Sequence, residues 1–247
     1  MIRVFETPTE LASHAADQIT AIARESVAAR GHFTLALSGG STPAATYRLL
    51  AEDAVYRASF PWQQTHFFWG DKRPVPPDHP DSCYLMAYQT MLSKVAIPEA
   101  HIHRIKAELD PKIAAAEYIA ELSSCDQLLK AEFPRFDLIL LGFGAEGHTA
   151  SLFPGTKALA EQDRWVVPNW VGKLFSMRIT LTAPVINAAS HVLFLVTGQE
   201  KALALKGTFE GLHEPEQMPA QLIKPQGQLS YFLDQAAASA LSPETLT

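Results

Sequence analysis

A histidine at the end of a glycine-rich turn is the residue in this chain best suited to proton transfer. The stretch Asp137 to Thr156 reads DLILLGFGAEGHTASLFPGT. Its opening run, Asp137-Leu138-Ile139-Leu140-Leu141, has the continuous apolar pattern of a strand covered on both faces in a parallel sheet. Gly142, Gly144 and Gly147 follow. They let the backbone turn sharply and leave room for a ligand against the main chain. His148 comes next, where a neutral imidazole could take a proton from water. Glu146, two residues earlier, offers a carboxylate that could orient the ring or stabilise its charged form. Thr149 to Phe153 is expected to make a short helical turn that Pro154 ends. A helix N-terminus there would favour the uncharged imidazole.

Taken literally, Gly142-x-Gly144-x-x-Gly147 after a strand also matches the dinucleotide fingerprint. That motif needs a long helix after the third glycine, then a strand ending in an acidic residue about 20 positions on. Pro154 cuts the helix short, and Glu161 and Asp163 follow no apolar strand. The catalytic-histidine reading fits better.

A second candidate follows the strand Phe33 to Leu37, where Ser38-Gly39-Gly40-Ser41-Thr42 leads to a helix expected to open on Pro43. Free amides at a helix N-terminus point toward negative charge, and Ser38, Ser41 and Thr42 can add hydroxyl donors. No Walker lysine follows, which argues against a nucleoside triphosphate. Arg73 ends the loop Gly70-Asp71-Lys72-Arg73 after the strand Thr65 to Trp69. Its fork could clamp a phosphate or a developing oxyanion. Met177 to Thr182 alternates, placing Arg178 with Thr180 and Thr182 on one face. Lys201 falls in the first turn of a helix after the strand His191 to Val196, where an anion would offset its conflict with the helix dipole. His101 and His103 share a face of an expected strand, but no third ligand has plausible metal-site spacing.

The elements that must position these residues run in a simple order. Ile2 to Phe5 is a short strand; Thr7-Pro8-Thr9-Glu10 caps a helix that Gly31 closes. Asp81 or Ser82 caps a helix reaching roughly Lys94, and Asp110-Pro111 starts a longer one reaching Leu128. Trp165 to Gly172 reads as a loop with a short strand, and Leu229 to Leu233 is the last strand, before an alanine-rich helix. Four strands end at Ser38-Gly39, Trp69-Gly70, Leu141-Gly142 and Thr197-Gly198. In a parallel sheet these ends share one edge, so the hydroxyl loop, Arg73, His148 and Lys201 should meet around one pocket. The expected fold is α/β: a single domain over residues 1–247, with a mainly parallel, doubly wound sheet flanked by helices.

Composition narrows the function. Apolar residues make up 47% and charged residues 19% of the 247, with a net charge of −6. That balance argues against non-specific binding to nucleic acid or acidic membranes, but not against a small anion held by a local field. Cys83 and Cys125 form no metal or redox spacing. The N-terminus lacks a signal-peptide pattern and no run approaches a membrane span, so the cytoplasm is the expected location.

The segments LALSGGSTP, Gly70-Asp71-Lys72-Arg73 with PPDHPDSCY, LGFGAEGHTASLFPG, RITLTAPVINAA, TGQEKA and QLSYFLDQAA resemble the 6-phosphogluconolactonase family, from about residue 33 to residue 240. The resemblance implies hydrolysis of 6-phosphoglucono-δ-lactone to 6-phosphogluconate in the oxidative pentose phosphate pathway, with no metal and no organic cofactor. It implies a small-molecule sugar-phosphate partner, a monomer or homodimer, and a fold shared with glucosamine-6-phosphate deaminases. By the same resemblance His148 matches the general base, and Arg73 the arginine after an acidic pair. Gly39, Gly40, Ser41 and Thr42 match the sugar-phosphate loop, and Arg178 and Lys201 match basic positions that hold the phosphate. The chain departs from the family in carrying Lys72 where a glutamate is usual, and Ala145-Glu146 where Gly-Asp or Pro-Asp is usual. Two rival readings are a glucosamine-6-phosphate isomerase or deaminase, and a sugar-phosphate-binding module without turnover. The first usually continues with Asn-Glu-Pro, where this chain has Ser151-Leu152-Phe153-Pro154 and supplies no carboxylate.

Overall fold

Short runs of β-branched, aromatic and leucine residues, too short for helices, become strands once both faces are covered. The computed structural model describes residues 1–128 and 131–246. Among these, the strands are β1 (Ile2–Phe5), β2 (Phe33–Leu37), β3 (Thr65–Trp69), β4 (Asp71–Lys72), β5 (Leu138–Leu141), β6 (Val166–Val171), β7 (Ser176–Leu181), β8 (His191–Val196) and β9 (Gln228–Asp234). Six pair in the order β1-β9-β8-β5-β2-β3, every pairing parallel. Every residue of β2, β3 and β5 is buried, as a sheet covered on both faces requires. From β2 the chain steps outward to β3, then crosses back to β5 and continues through β8 to β9. The strand order therefore reverses between β2 and β5, where open α/β sheets hold their ligands.

Helices α1 (Pro8–Arg30), α2 (Ser41–Glu52), α3 (Ala54–Ser59), α4 (Cys83–Thr90), α5 (Pro111–Ser124), α6 (Ala183–Ala188), α7 (Ala202–Glu210) and α8 (Gln235–Ala238) flank the sheet. The local signals of α1 act as read: Thr7 accepts from the Glu10 amide, and Gly31 closes the helix at φ 80°. Leu11, Ala15, Ile19 and Ile22 form its buried stripe. Ser82 rather than Asp81 caps α4, accepting from the Leu85 amide. Helix α5 stops at Ser124, short of the expected Leu128. No described helix is long and apolar enough to cross a membrane.

Two features differ from the sequence expectation. Beyond Gly70 the chain leaves the main sheet, and β4 pairs antiparallel with β7, which pairs with β6. The Leu181 amide donates to the Gly70 carbonyl at 2.8 Å, fastening this small sheet to the end of β3. His101 and His103 do not lie in a strand: His101 ends a 3₁₀ turn, and the His103 amide donates to the Phe67 carbonyl at 2.8 Å, on the open edge of β3.

Asp137 precedes β5 and is buried. Its carboxylate accepts from the Thr34 amide at 2.9 Å, from Thr34 Oγ1 at 3.0 Å and from the Arg30 guanidinium. Its own amide donates to Thr34 Oγ1 at 2.9 Å. Asp137→Ala would leave buried donors unpaired, so the variant should lose about 2–4 kcal/mol of unfolding free energy in a urea titration.

Candidate active site

The ends of β2, β3, β5 and β8 open into one cleft of about 720 Å³, whose walls include Ser38, Thr42, Asp71, Gly142, His148 and Lys201. At its floor Ser38 Oγ accepts from the Gly142 amide at 3.2 Å. The turn after β2 is thereby joined to the turn after β5. Thr42 and Thr197 hydroxyls, 2.7 Å apart, join the β2 loop to the β8 loop.

Helix α2 begins at Ser41, two residues before the expected start at Pro43. Gly40 precedes it at φ 111°, a backbone angle that side chains rarely adopt. No side chain caps this end. The first amides and the Ser41 hydroxyl therefore remain donors for an anion in the cleft, and so does the Thr42 hydroxyl where Thr197 donates to it. Lys201 ends a 3₁₀ turn, Gln199–Lys201, and α7 starts only at Ala202. Its ammonium lies 3.7 Å from Glu200 Oε1.

The glycine turn is shaped around His148. The Gly144 amide donates to the His148 carbonyl at 2.8 Å, and a Cβ on Gly144 would fall 1.9 Å from the ring's Nδ1. Only glycine fits. The ring stacks on Phe153, with centroids 3.9 Å apart and planes 17° from parallel. Thr149 to Phe153 is not a helical turn; Thr149 and Leu152 form a bridge around Ala150, which sits at φ 46°. That segment therefore presents no helix N-terminus to the imidazole. Burial does that work instead, pushing His148 below the ordinary imidazole range, while Glu146 and Asp71 pull it back up and Lys201 pushes it down.

Glu146 Oε2 lies 3.1 Å from His148 Nδ1, at an angle that makes an ion-pair contact rather than an aligned hydrogen bond. Its other oxygen accepts from Lys173 Nζ at 2.8 Å. Partial burial resists ionisation of Glu146, but Lys173, its own backbone amide and His148 outweigh that and hold the carboxyl down at about 2. Beside the cleft is a recess of about 300 Å³ that includes Glu146, Lys173 and Arg178. Asp71, Arg73 and His148 line both spaces.

The structure thus brings every expected site residue to one region but divides them. Gly39, Gly40, Ser41, Thr42 and Lys201 line the cleft; Glu146 and Arg178 line the recess; His148 and Arg73 stand between. Arg73 pairs with Asp81 at 3.1 Å, both side chains being well exposed. Arg178 is half-buried, and its Nε is enclosed without a hydrogen-bond partner among the described residues. Burial lowers its pKa, against the pull of Asp71. Sequence reasoning gave no role to Asp71, whose carboxylate accepts from Ser151 Oγ and which lines both spaces. Its signal was position, the first polar residue past the end of β3. Lys173 had none, since an exposed loop lysine has no pattern. Lys72 turns inward, donating to Ser82 Oγ, and burial lowers its pKa.

Residues 6–231 match the family model described as glucosamine-6-phosphate isomerases/6-phosphogluconolactonase. A 6-phosphogluconolactonase of Synechocystis sp. is 46% identical over 227 residues, covering 91% of each chain. The solved 6-phosphogluconolactonase of Trypanosoma brucei is 29% identical, with a TM-score of 0.86 over 98% of both chains. A monomeric glucosamine-6-phosphate deaminase superimposes with a TM-score of 0.82 over 97% of this chain and 99% of its own, at 20% identity, a likeness of fold alone.

Because Glu146 raises the His148 pKa, Glu146→Gln should move it further below the ordinary value of about 6.5. An NMR titration of the imidazole carbon-bound protons reads this directly, and an upward or absent shift would refute the coupling.

Proposed function

The chain belongs to the glucosamine-6-phosphate isomerase/6-phosphogluconolactonase family, and we propose that its reaction is the hydrolysis of 6-phosphoglucono-δ-lactone to 6-phosphogluconate. The observation that carries this reading is a partly buried imidazole, its pKa lowered by burial, standing between the amide end of α2 and a recess lined by Arg178. Its strongest support outside the site is the 46% identity to the Synechocystis lactonase.

The substrate phosphate binds the amide end of α2, the Ser41 and Thr42 hydroxyls and Lys201. Arg178 adds positive charge from the recess side. This binding holds the lactone carbonyl near His148 and makes water attack effectively unimolecular. With Nδ1 enclosed beside Glu146, the lone pair on Nε2 accepts the proton from the attacking water. Oxygen adds to the carbonyl carbon, and Arg73 or a glycine amide stabilises the oxyanion. Collapse breaks the bond to the ring oxygen. The imidazolium returns its proton to that leaving oxygen, so the water ends as a hydroxyl on carbon and a proton on the ring oxygen. Glu146 and Asp71 stabilise the transient imidazolium, since both raise the His148 pKa.

Ring opening in the isomerase reading needs a further carboxylate as proton shuttle. Here Ser151 is bound to Asp71 and Phe153 lies under the imidazole, so that segment supplies none. The reading without turnover is separated from hydrolysis by assay.

His148→Ala should lower kcat about 10²–10⁴-fold with 6-phosphogluconate binding retained, measured with freshly made lactone above its spontaneous hydrolysis and with EDTA present. If wild type stays at the spontaneous rate while 6-phosphogluconate binds, the chain is a sugar-phosphate-binding module. In the active case the acid limb of kcat/KM should lie below about pH 6.5, because the base must be unprotonated. Glu146→Gln should displace that limb toward lower pH, and an unmoved limb would assign it to another group.

A further inference from the structure

The start of β3 lies at the end of the sheet opposite the cleft and carries His66, 7% exposed. His101 stacks on its ring, with centroids 3.9 Å apart. His103, 8% exposed, is fixed by its amide on the Phe67 carbonyl and by stacking on Phe68. His66 Nδ1 and His103 Nε2 face each other at 2.9 Å. Behind them, His103 Nδ1 lies 2.6 Å from Glu121 Oε1. Cys125 follows Glu121 by one helical turn at the end of α5 and is 5% exposed. One donor atom each from His66, His103 and Cys125 lies within 4.8 Å of the other two.

We propose that His66, His103 and Cys125 bind a divalent ion of the zinc class, at a structural site joining α5 to the edge strand β3. Two imidazoles and a thiolate select borderline ions such as zinc over magnesium or calcium, which prefer oxygen. Glu121 stands where a carboxylate behind a metal-ligating histidine belongs: it accepts the Nδ1 proton of His103 and leaves Nε2 as the ligand. With that proton fixed, His66 donates from Nδ1 in the metal-free site and must carry its proton on Nε2 when it ligates. Cys125 loses its thiol proton, so binding of one dication releases one proton and leaves the site with a charge of +1. Water completes the fourth position. Tetrahedral bonds of this class space their donors about 3.3–3.6 Å apart, so the rings separate slightly and the sulfur moves inward by about 1 Å. The Glu121 side chain is 48% exposed, so solvent reaches the carboxylate behind His103. The cysteine and histidines are separated by 37 and 22 residues in the chain, a spacing that matches no sequence motif.

The test uses the full chain stripped by chelator and titrated with zinc or cobalt(II) alone. One equivalent of zinc should bind and raise Tm, and cobalt should give a thiolate charge-transfer band in the near ultraviolet. Cys125→Ser should abolish the band and weaken zinc binding at least tenfold. Glu121→Gln should weaken zinc binding about 10–100-fold while keeping the band. Lactone hydrolysis at 25 °C should be equal with and without zinc, because the cluster lies away from the cleft. Absence of stoichiometric binding to the wild-type chain overturns the proposal without recourse to any variant. So does a band that survives in Cys125→Ser, which would place the metal at Cys83.

Discussion

The β2–β5 pairing is closed at both ends by side chains. Its ladder is brief, with two paired positions, Leu35 with Leu138 and Ala36 with Ile139. Two short pairs alone would let the strands slip or splay. At one end Asp137 accepts both donors of Thr34 and donates its own amide back to the same hydroxyl. At the other, Ser38 Oγ takes the Gly142 amide. The point where strand order reverses is therefore the point where register is fixed by groups that no one-residue shift can satisfy. The Ser38–Thr42 loop and the histidine turn grow from these two strand ends, and their separation follows from that register.

The charge arrangement explains how an acidic chain can hold an anion. Two of the cations that line the cleft pair with well-exposed carboxylates: Lys201 with Glu200 at 3.7 Å, and Arg73 with Asp81 at 3.1 Å. Exposed pairs of this kind contribute little, so an arriving phosphate displaces them at small cost. Glu146 behaves differently. Lys173 and the backbone hold it ionised, and its charge opposes the burial that lowers the His148 pKa. The imidazole is thus placed between two environmental effects of opposite sign, which suits the general base proposed for it.

What the sequence made legible was local. Apolar runs, caps and glycines act within a few residues, so strand positions, α1 and the place of His148 could be read directly. The β4–β7 pairing could not, because β4 has two residues and its partners Ile179 and Thr180 lie more than 100 positions away. The early start of α2 turns on the positive φ of Gly40, which composition around Pro43 concealed. Thr149 to Phe153 carried helix-compatible residues, yet the fold uses them to bridge around Ala150 and to place Phe153 beneath His148. His66 and Cys125 escaped notice as neighbours of His103 because only the docking of α5 against β3 brings them together.

Strand β3 links the two ends of this molecule. It is the edge of the parallel sheet, so one side of its backbone has no strand partner. An open edge is both mobile and available to other chains. Here the segment through Ile102 and His103 covers it, with the Phe67 bridge and the His103 amide replacing a ladder. The histidine cluster lies over that same cover. Past the far end of the strand come Asp71 and Arg73, which line both spaces beside His148. Catalytic groups must be held to about half an ångström, and an edge strand anchored on one side alone would not do so. The backbone cover at Ile102 and His103 therefore steadies the strand that leads to these groups, while the imidazoles of His66 and His103 lie at its other end, away from the cleft.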